Sequence, residues 1–187
     1  MTEEIFWNMI EKAWVAVAPD LHHKRMEIAT DLGVKSPTDL GEMFINIIEE
    51  DLIQNIVTQL SELTVLDIVL FDRILERKMY DIDRDDVHEY TNGGDDGFMY
   101  ARGFIVGMGK AYYDLINKEP AYATMDLAAE SFCYFPIHSF MQENVIEDEI
   151  TGEETYEEID INGFATLDIT PSNISRETGS NPIGWKS

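Results

Sequence analysis

The chain has 187 residues, 44% of them hydrophobic and 11% aromatic, which is enough apolar material to pack one domain and excludes global disorder. Its 13 Lys and Arg stand against 37 Asp and Glu, a formal net charge of −24, so a phosphate backbone would be repelled and nucleic acid is excluded as the expected ligand. No apolar run is long enough to cross a bilayer and the N-terminus lacks a basic secretory start, so a cytoplasmic protein without a membrane span is expected.

Thr2 is suited to cap a first helix over about residues 3–17, whose Phe6, Trp7, Ile10, Ala13, Trp14 and Val17 recur at three- and four-residue steps and predict a core-facing stripe. Pro19-Asp20 ends it, and a short helix follows from His22 to near Gly33. Ser36-Pro37-Thr38-Asp39 is a helix start, leading into one long amphipathic helix through Met43, Phe44, Ile47, Ile48, Leu52, Ile56, Val57 and Leu60. Thr64 launches another through Ile68, Phe71, Leu75 and Met79.

Asp81 to Asp86 imitates a calcium loop but has Asp86 where glycine is required and Asn92 where glutamate is required, so a capped helix from Arg84 to Thr91 is expected instead. The stretch Asn92-Gly93-Gly94-Asp95-Asp96-Gly97 is too rich in glycine for a helix interior and predicts a sharp turn into a helix from Phe98 to Ile116. On that helix Arg102 falls in an apolar stripe with Phe98, Ile105, Gly109 and Tyr112. A cation there needs a partner, for which Asp95, Asp96 or a carboxylate of a neighbouring helix is expected. Gly103 and Gly107, one turn apart, predict a close helix approach.

Pro120 is expected to restart the chain into a helix through Met125, Leu127, Ala128, Phe132 and Tyr134, ended or kinked by Pro136, with a further helical piece from Ile137 to Val145. The lone Cys133 on that helix reads as a small core residue. A hairpin is expected over 157–169, around Asn162-Gly163, and the final eighteen residues read as an irregular or loosely ordered tail. The expected architecture is therefore mainly α: a multi-helix bundle over residues 1–145, with an acidic extension over 146–187 packed on the same domain.

Phe6-Trp7 followed by Ile10 and Ala13, then Asn92 to Gly94, Asp95 to Phe98, Arg102-Gly103 and Gly109, together with the segment from Leu63 to Phe71, resemble a bacterial family of small helical domains of unknown function. The likeness covers about residues 3–123. Asp95 here follows Gly94 directly, which shortens the turn. The resemblance implies a helical fold with a special turn and supplies no activity.

Two functional readings follow. No phosphate loop, dinucleotide fingerprint or nucleophile–base spacing is present. Between Lys118 and Arg176 there is no Lys or Arg but 13 acids, nine of them from Glu143 to Asp160. This favours a non-enzymatic interaction protein of the inhibitor or immunity type. Its face of Glu143, Glu147, Asp148, Glu149, Glu153, Glu154, Glu157 and Glu158 would meet a basic partner protein, without cofactor or metal. The alternative is an enzyme or small-ligand or metal binder using the polar turn Asn92, Gly93, Gly94, Asp95, Asp96 with Arg102.

Overall fold

The structure, a computed structural model, describes residues 1–30, 41–91, 93–143, 145–147, 154–156 and 174–185. It is mainly helical: α1 (Glu3–Val17), α2 (Pro19–Thr30), α3 (Gly41–Ile47), a π turn (Ile48–Leu52), α4 (Ile53–Ser61), α5 (Val65–Asp81), α6 (Asp85–Thr91), α7 (Asp95–Gly107), α8 (Lys110–Lys118), a 3₁₀ turn (Pro120–Tyr122) and α9 (Glu130–Glu143). Val145–Glu147 (β1) and Glu154–Tyr156 (β2) pair antiparallel, with Ile146 opposite Thr155. The expected hairpin over 157–169 and the helix start at Ser36 lie outside the described residues, as does Gly33. Helix α7 packs on α5, α8 and α9, while α1 packs on α2, α4 and α5. Phe6, Ile10, Trp14, Phe44, Phe71, Phe98, Phe104 and Phe132 fill the core between them.

Two helix starts form as their residue types dictate. Thr2 Oγ1 accepts from Ile5 N at 3.3 Å, and Thr64 Oγ1 accepts from Asp67 N at 3.2 Å, each satisfying a first-turn N–H that has no partner within its helix. Pro19 both follows the end of α1 and opens α2, because its fixed φ suits a first helical position. The second helix thus begins three residues before the expected His22.

The helix expected from Met43 to Leu60 is interrupted by the π turn, and the spacing explains why. Phe44, Ile48, Leu52, Ile56 and Leu60 step strictly by four. Since an α-helix advances about 100° per residue, such a row drifts by about 160° over its length. One extra residue in the π turn takes back about 100° of this. All five side chains are consequently buried, the most exposed being Leu60 at 3%. The same turn aims Glu49 outward, where its carboxylate accepts from Ser131 N at 3.1 Å and Ser131 Oγ at 2.5 Å and so caps the start of α9.

Three expectations are corrected. The helix predicted from Phe98 to Ile116 breaks into α7 and α8 at Gly109, whose φ of +86° belongs to glycine. Tyr112 therefore does not continue the Arg102 face. The segment from Pro120 to Ala129 forms a 3₁₀ turn and irregular chain, so that Met125, Leu127 and Ala128 precede α9. Finally, of an end or a kink at Pro136 the end is not found: α9 runs through Pro136 to Glu143, Pro136 lacking the N–H of one helical hydrogen bond.

The close approach predicted for Gly103 and Gly107 is present. A Cβ on Gly103 would lie 2.5 Å from Cys133 Sγ and 2.7 Å from the Ala129 carbonyl, and one on Gly107 would lie 2.8 Å from Ile48. Cys133 itself is fully buried, and burial pushes its thiol up to about 12, which leaves it inert as a nucleophile. Helix propensity alone would favour Gly→Ala by about 1 kcal/mol. At Gly103 the clash with a main-chain carbonyl outweighs it, so Gly103→Ala lowers unfolding stability by about 1–3 kcal/mol in urea titration. Gly97→Ala, on the same helix with nothing near its Cβ, raises stability by about 0.5–1 kcal/mol.

Candidate functional site

Arg102 is fully buried on α7, and the carboxylate nearest to it in charge is neither Asp95 nor Asp96. It is Asp83, in the turn between α5 and α6, also fully buried, with Oδ1 3.9 Å from Arg102 Nη1. The guanidinium spends its hydrogen bonds on other groups: Nη1 donates to the Met79 carbonyl at 3.0 Å, and Nη2 to the Arg176 carbonyl at 2.7 Å and to Thr178 Oγ1 at 3.4 Å. Its plane lies over the Phe98 ring, 4.8 Å from the centroid. Burial pulls its pKa down and Asp83 opposes that shift.

Asp83 and Arg102 together hold the segment 174–185, a strap across the ends of α5, α6 and α7. Asp83 accepts from Gly179 N (3.1 Å), Asn181 N (2.9 Å), Ser180 Oγ (3.2 Å) and Trp185 Nε1 (2.9 Å). The Trp185 ring lies 5.4 Å from His88 and 5.9 Å from Phe98 between centroids. Farther along, Arg176 donates to the carboxylate of Asp72 at 2.5 Å. Burial raises the Asp72 pKa, and Arg176 pulls it back. The strap also serves the carbonyls left unpaired where α5 ends, Asn181 Nδ2 donating to the Tyr80 carbonyl at 3.1 Å. Of the two readings of the tail, irregular or loosely ordered, these residues take the first: they are irregular in backbone and fixed by buried polar contacts.

The polar turn is placed differently. Asn92 lies outside the described residues. The Gly93 carbonyl accepts from Nε2 of the His88 ring at 2.8 Å, and Gly94 is the N-cap of α7 without a side chain to cap it. Asp95 and Asp96 occupy the first turn of α7 with their side chains exposed, where the helix dipole favours them. The Asp95 carbonyl accepts from Thr178 Oγ1 at 2.5 Å, so this turn reaches Arg102 through one hydroxyl of the strap and not through a carboxylate.

A second buried cation has the same construction. Arg25, 1% exposed, lies over Trp14 at 5.0 Å, donates to the Met108 carbonyl at 2.6 Å and pairs with Glu11. A Cβ at Gly109 would strike both Arg25 and Glu11, so the residue at the break between α7 and α8 has no room for a side chain. His22 Nδ1 is 2.9 Å from Arg25 Nη2 and accepts from it, so the imidazole is the neutral form. Burial first, then Arg25, hold the His22 pKa below its ordinary value, with His23 adding to the effect and Glu11 opposing it.

Of the acidic face, Glu143 ends α9, Glu147 ends β1 and Glu154 begins β2, while Asp148, Glu149, Glu153, Glu157 and Glu158 lie outside the described residues. Among the described residues no three His, Cys, Asp or Glu are grouped to hold a metal ion, and no helix is long and apolar enough to cross a membrane. Sequence reasoning allowed a partner from a neighbouring helix without naming Asp83, which follows the end of α5, and missed Arg176, Thr178, Asn181 and Trp185 altogether. The usable signal was Trp185, a large aromatic in an otherwise polar, Gly- and Pro-containing stretch, which has reason to dock.

Residues 47–138 match the model of a family described as a protein of unknown function, DUF4240. No curated protein and no solved structure matches the chain. The matched span takes in Asp72, Asp83, His88, Phe98 and Arg102, whereas Phe6-Trp7 and the strap lie outside it.

Replacing Asp83 by Asn removes a buried charge and turns an amide against four donors. It lowers unfolding stability by about 3 kcal/mol in denaturant titration, and the Gly179 and Asn181 amides, protected in the native chain, exchange rapidly. For His22 the depressed folded pKa means that the unfolded chain binds the proton first, at its ordinary value of about 6.5. The stability His22 contributes is complete above that pH and is lost as pH falls toward the folded value. Between pH of about 7.5 and about 5.5, His22→Gln, which keeps a neutral acceptor for Arg25, therefore loses less stability than the native chain.

Proposed function

We propose, for a chain whose family match carries no activity, that this is a non-enzymatic interaction protein whose surplus negative charge recruits a basic partner protein. The observation that supports the reading is where the positive charge goes. Of the eleven Lys and Arg among the described residues, Arg25, Arg73, Arg77, Lys78, Arg84, Arg102, Lys110, Lys118 and Arg176 each lie within 4 Å of a carboxylate of this same chain. The cations are thus largely committed internally, and the acids in excess of them, nine of which fall between Glu143 and Asp160 in the sequence, supply the surplus charge on which the reading rests. The buried cations are tied to main-chain carbonyls and strap groups, and the thiol of Cys133 is inert, so the reading assigns them to structure and not to turnover. Such a surface raises association rate and selects partners by charge. The polar turn gains no comparable support, because Arg102 is engaged by the strap.

The test is capture from the source lysate with the tagged chain at about 50 mM and about 500 mM salt, read by mass spectrometry. A basic protein retained at low salt and released at high salt is expected. Changing Glu143, Glu147, Asp148, Glu149, Glu153, Glu154, Glu157 and Glu158 to their amides should slow its association at least about tenfold, with dissociation changing less. A complex indifferent to both salt and these changes would rule the reading out.

A further inference from the structure

We propose that the corner where α4 turns into α5, beside the start of α1, is a docking patch for a cationic amphipathic helix of the basic partner, seated on Ile5, Leu63, Val65 and Leu66. The inference rests on the acidic-surface reading for the sign of the partner's charge, and adds the place where that partner makes apolar contact. The four side chains are 46%, 42%, 40% and 37% exposed. The other large exposed apolar residues among those described are spread out: Val15 near the end of α1, Met43 on α3, Tyr90 on α6, Met125 before α9 and Ile183 on the strap. Two contacts bring Ile5 to the turn. The Met1 ammonium lies 2.7 Å from Asp67 in the first turn of α5, and Gln59 of α4 donates to the Met9 carbonyl at 3.2 Å. As the numbers rise along α1, those they meet fall, so α1 and α4 run antiparallel and Ile5 comes level with Leu63. Ile5 also shares an edge with Met9, four residues on, and that edge faces α4. Glu3, Trp7 and Glu11 form the opposite edge, turned to Lys78, Tyr113 and Arg25.

Folding does not call for this apolarity. Thr64 supplies the cap of α5, and Leu70, Phe71, Ile74 and Leu75 carry its core face. Val65 and Leu66 fill the first two helical positions, where the helix dipole rewards the acids that this chain has in abundance. Leu63 precedes the cap, a position that often packs on the fourth helical residue, and is exposed all the same. A local rule broken without gain to the fold marks a surface kept for contact. Charge then selects the occupant. Exposed Glu4 and Glu62 flank the patch, and Asp67 neutralises the Met1 ammonium. The nearest cations along α1 and α5, Lys12 and Arg73, are two helical turns away, and Arg73 is paired with Glu76. A second copy of the chain would set acids against acids, and phosphates would be repelled. A helix with apolar residues at i, i+3, i+4 and i+7 and lysine or arginine on its flanks suits both the patch and its rim.

The probe is a synthetic helical peptide of about fourteen residues, with leucine at the i, i+3, i+4, i+7 positions and lysine elsewhere. It is titrated into the isotope-labelled full chain at about 50 mM salt, and backbone amide signals are followed by nuclear magnetic resonance. Those of Ile5, Leu63, Val65 and Leu66 should move first. In fluorescence anisotropy, the double variant Ile5→Ser, Leu66→Ser should bind the peptide roughly tenfold more weakly with helical circular dichroism unchanged. The same peptide with glutamate in place of lysine should fail to bind. If the patch signals stay still, or the double variant binds as the native chain does, the docking patch is overturned; salt-dependent binding that moves residues 143–158 instead would leave the acidic-surface reading standing. Equal binding of the lysine and glutamate peptides would overturn the patch proposal together with the charge reading beneath it. A dimer of the free chain that the double variant abolishes would assign the patch to a second copy and overturn the proposal as well.

Discussion

A carboxylate sealed from water must be supplied with donors, because its desolvation is otherwise among the largest penalties a fold can carry. Asp83 meets that demand with two backbone amides, a serine hydroxyl and an indole N–H, all from the strap, and with the nearby charge of Arg102. Much of the surrounding arrangement depends on this one group. The strap has no ladder or helix of its own to hold it. The end of α5 is completed by Arg102 and Asn181, which take the Met79 and Tyr80 carbonyls. Trp185 covers Phe98, the side chain on which the guanidinium of Arg102 also rests.

The Arg25 cluster on another part of the molecule applies the same device. Each buried guanidinium stacks on an aromatic ring, Phe98 or Trp14, and each donates to a main-chain carbonyl near a helix end, Met79 or Met108. Carbonyls at helix ends have no intrahelical donor, and a planar guanidinium can serve one while its face remains in apolar contact. The two arginines thereby fasten α7 at both of its ends, one beside the strap and one at the Gly109 break.

Much of this was legible in the sequence where the signal was local. The caps at Thr2 and Thr64, the apolar stripe of α1, the close approach at Gly103 and the need of Arg102 for a partner all follow from residue types and spacing. What was not legible was set by long-range contact. No local rule connects Asp83 to Asn181 or Arg25 to Met108. The demand for glycine at position 109 comes from Arg25 and Glu11, which occupy the space a side chain would need. The π turn was in principle readable, since a row of four-residue steps cannot stay on one face of an α-helix. That Arg102 turns to Asp83 and not to Asp95 or Asp96 was also not legible, since the two acids stand nearer in sequence and only the fold brings Asp83 closer.

The order of the chain also sets a clock. Residues through α9 are synthesised before the strap, and at about 5–20 residues per second the intervening stretch keeps the strap away for a few seconds. Until it arrives, Asp83 lacks all four of the donors that the strap supplies and has only the charge of Arg102 beside it. The most heavily buried carboxylate among the described residues is therefore satisfied last in the order of synthesis, by residues 174–185 and not by its own helices.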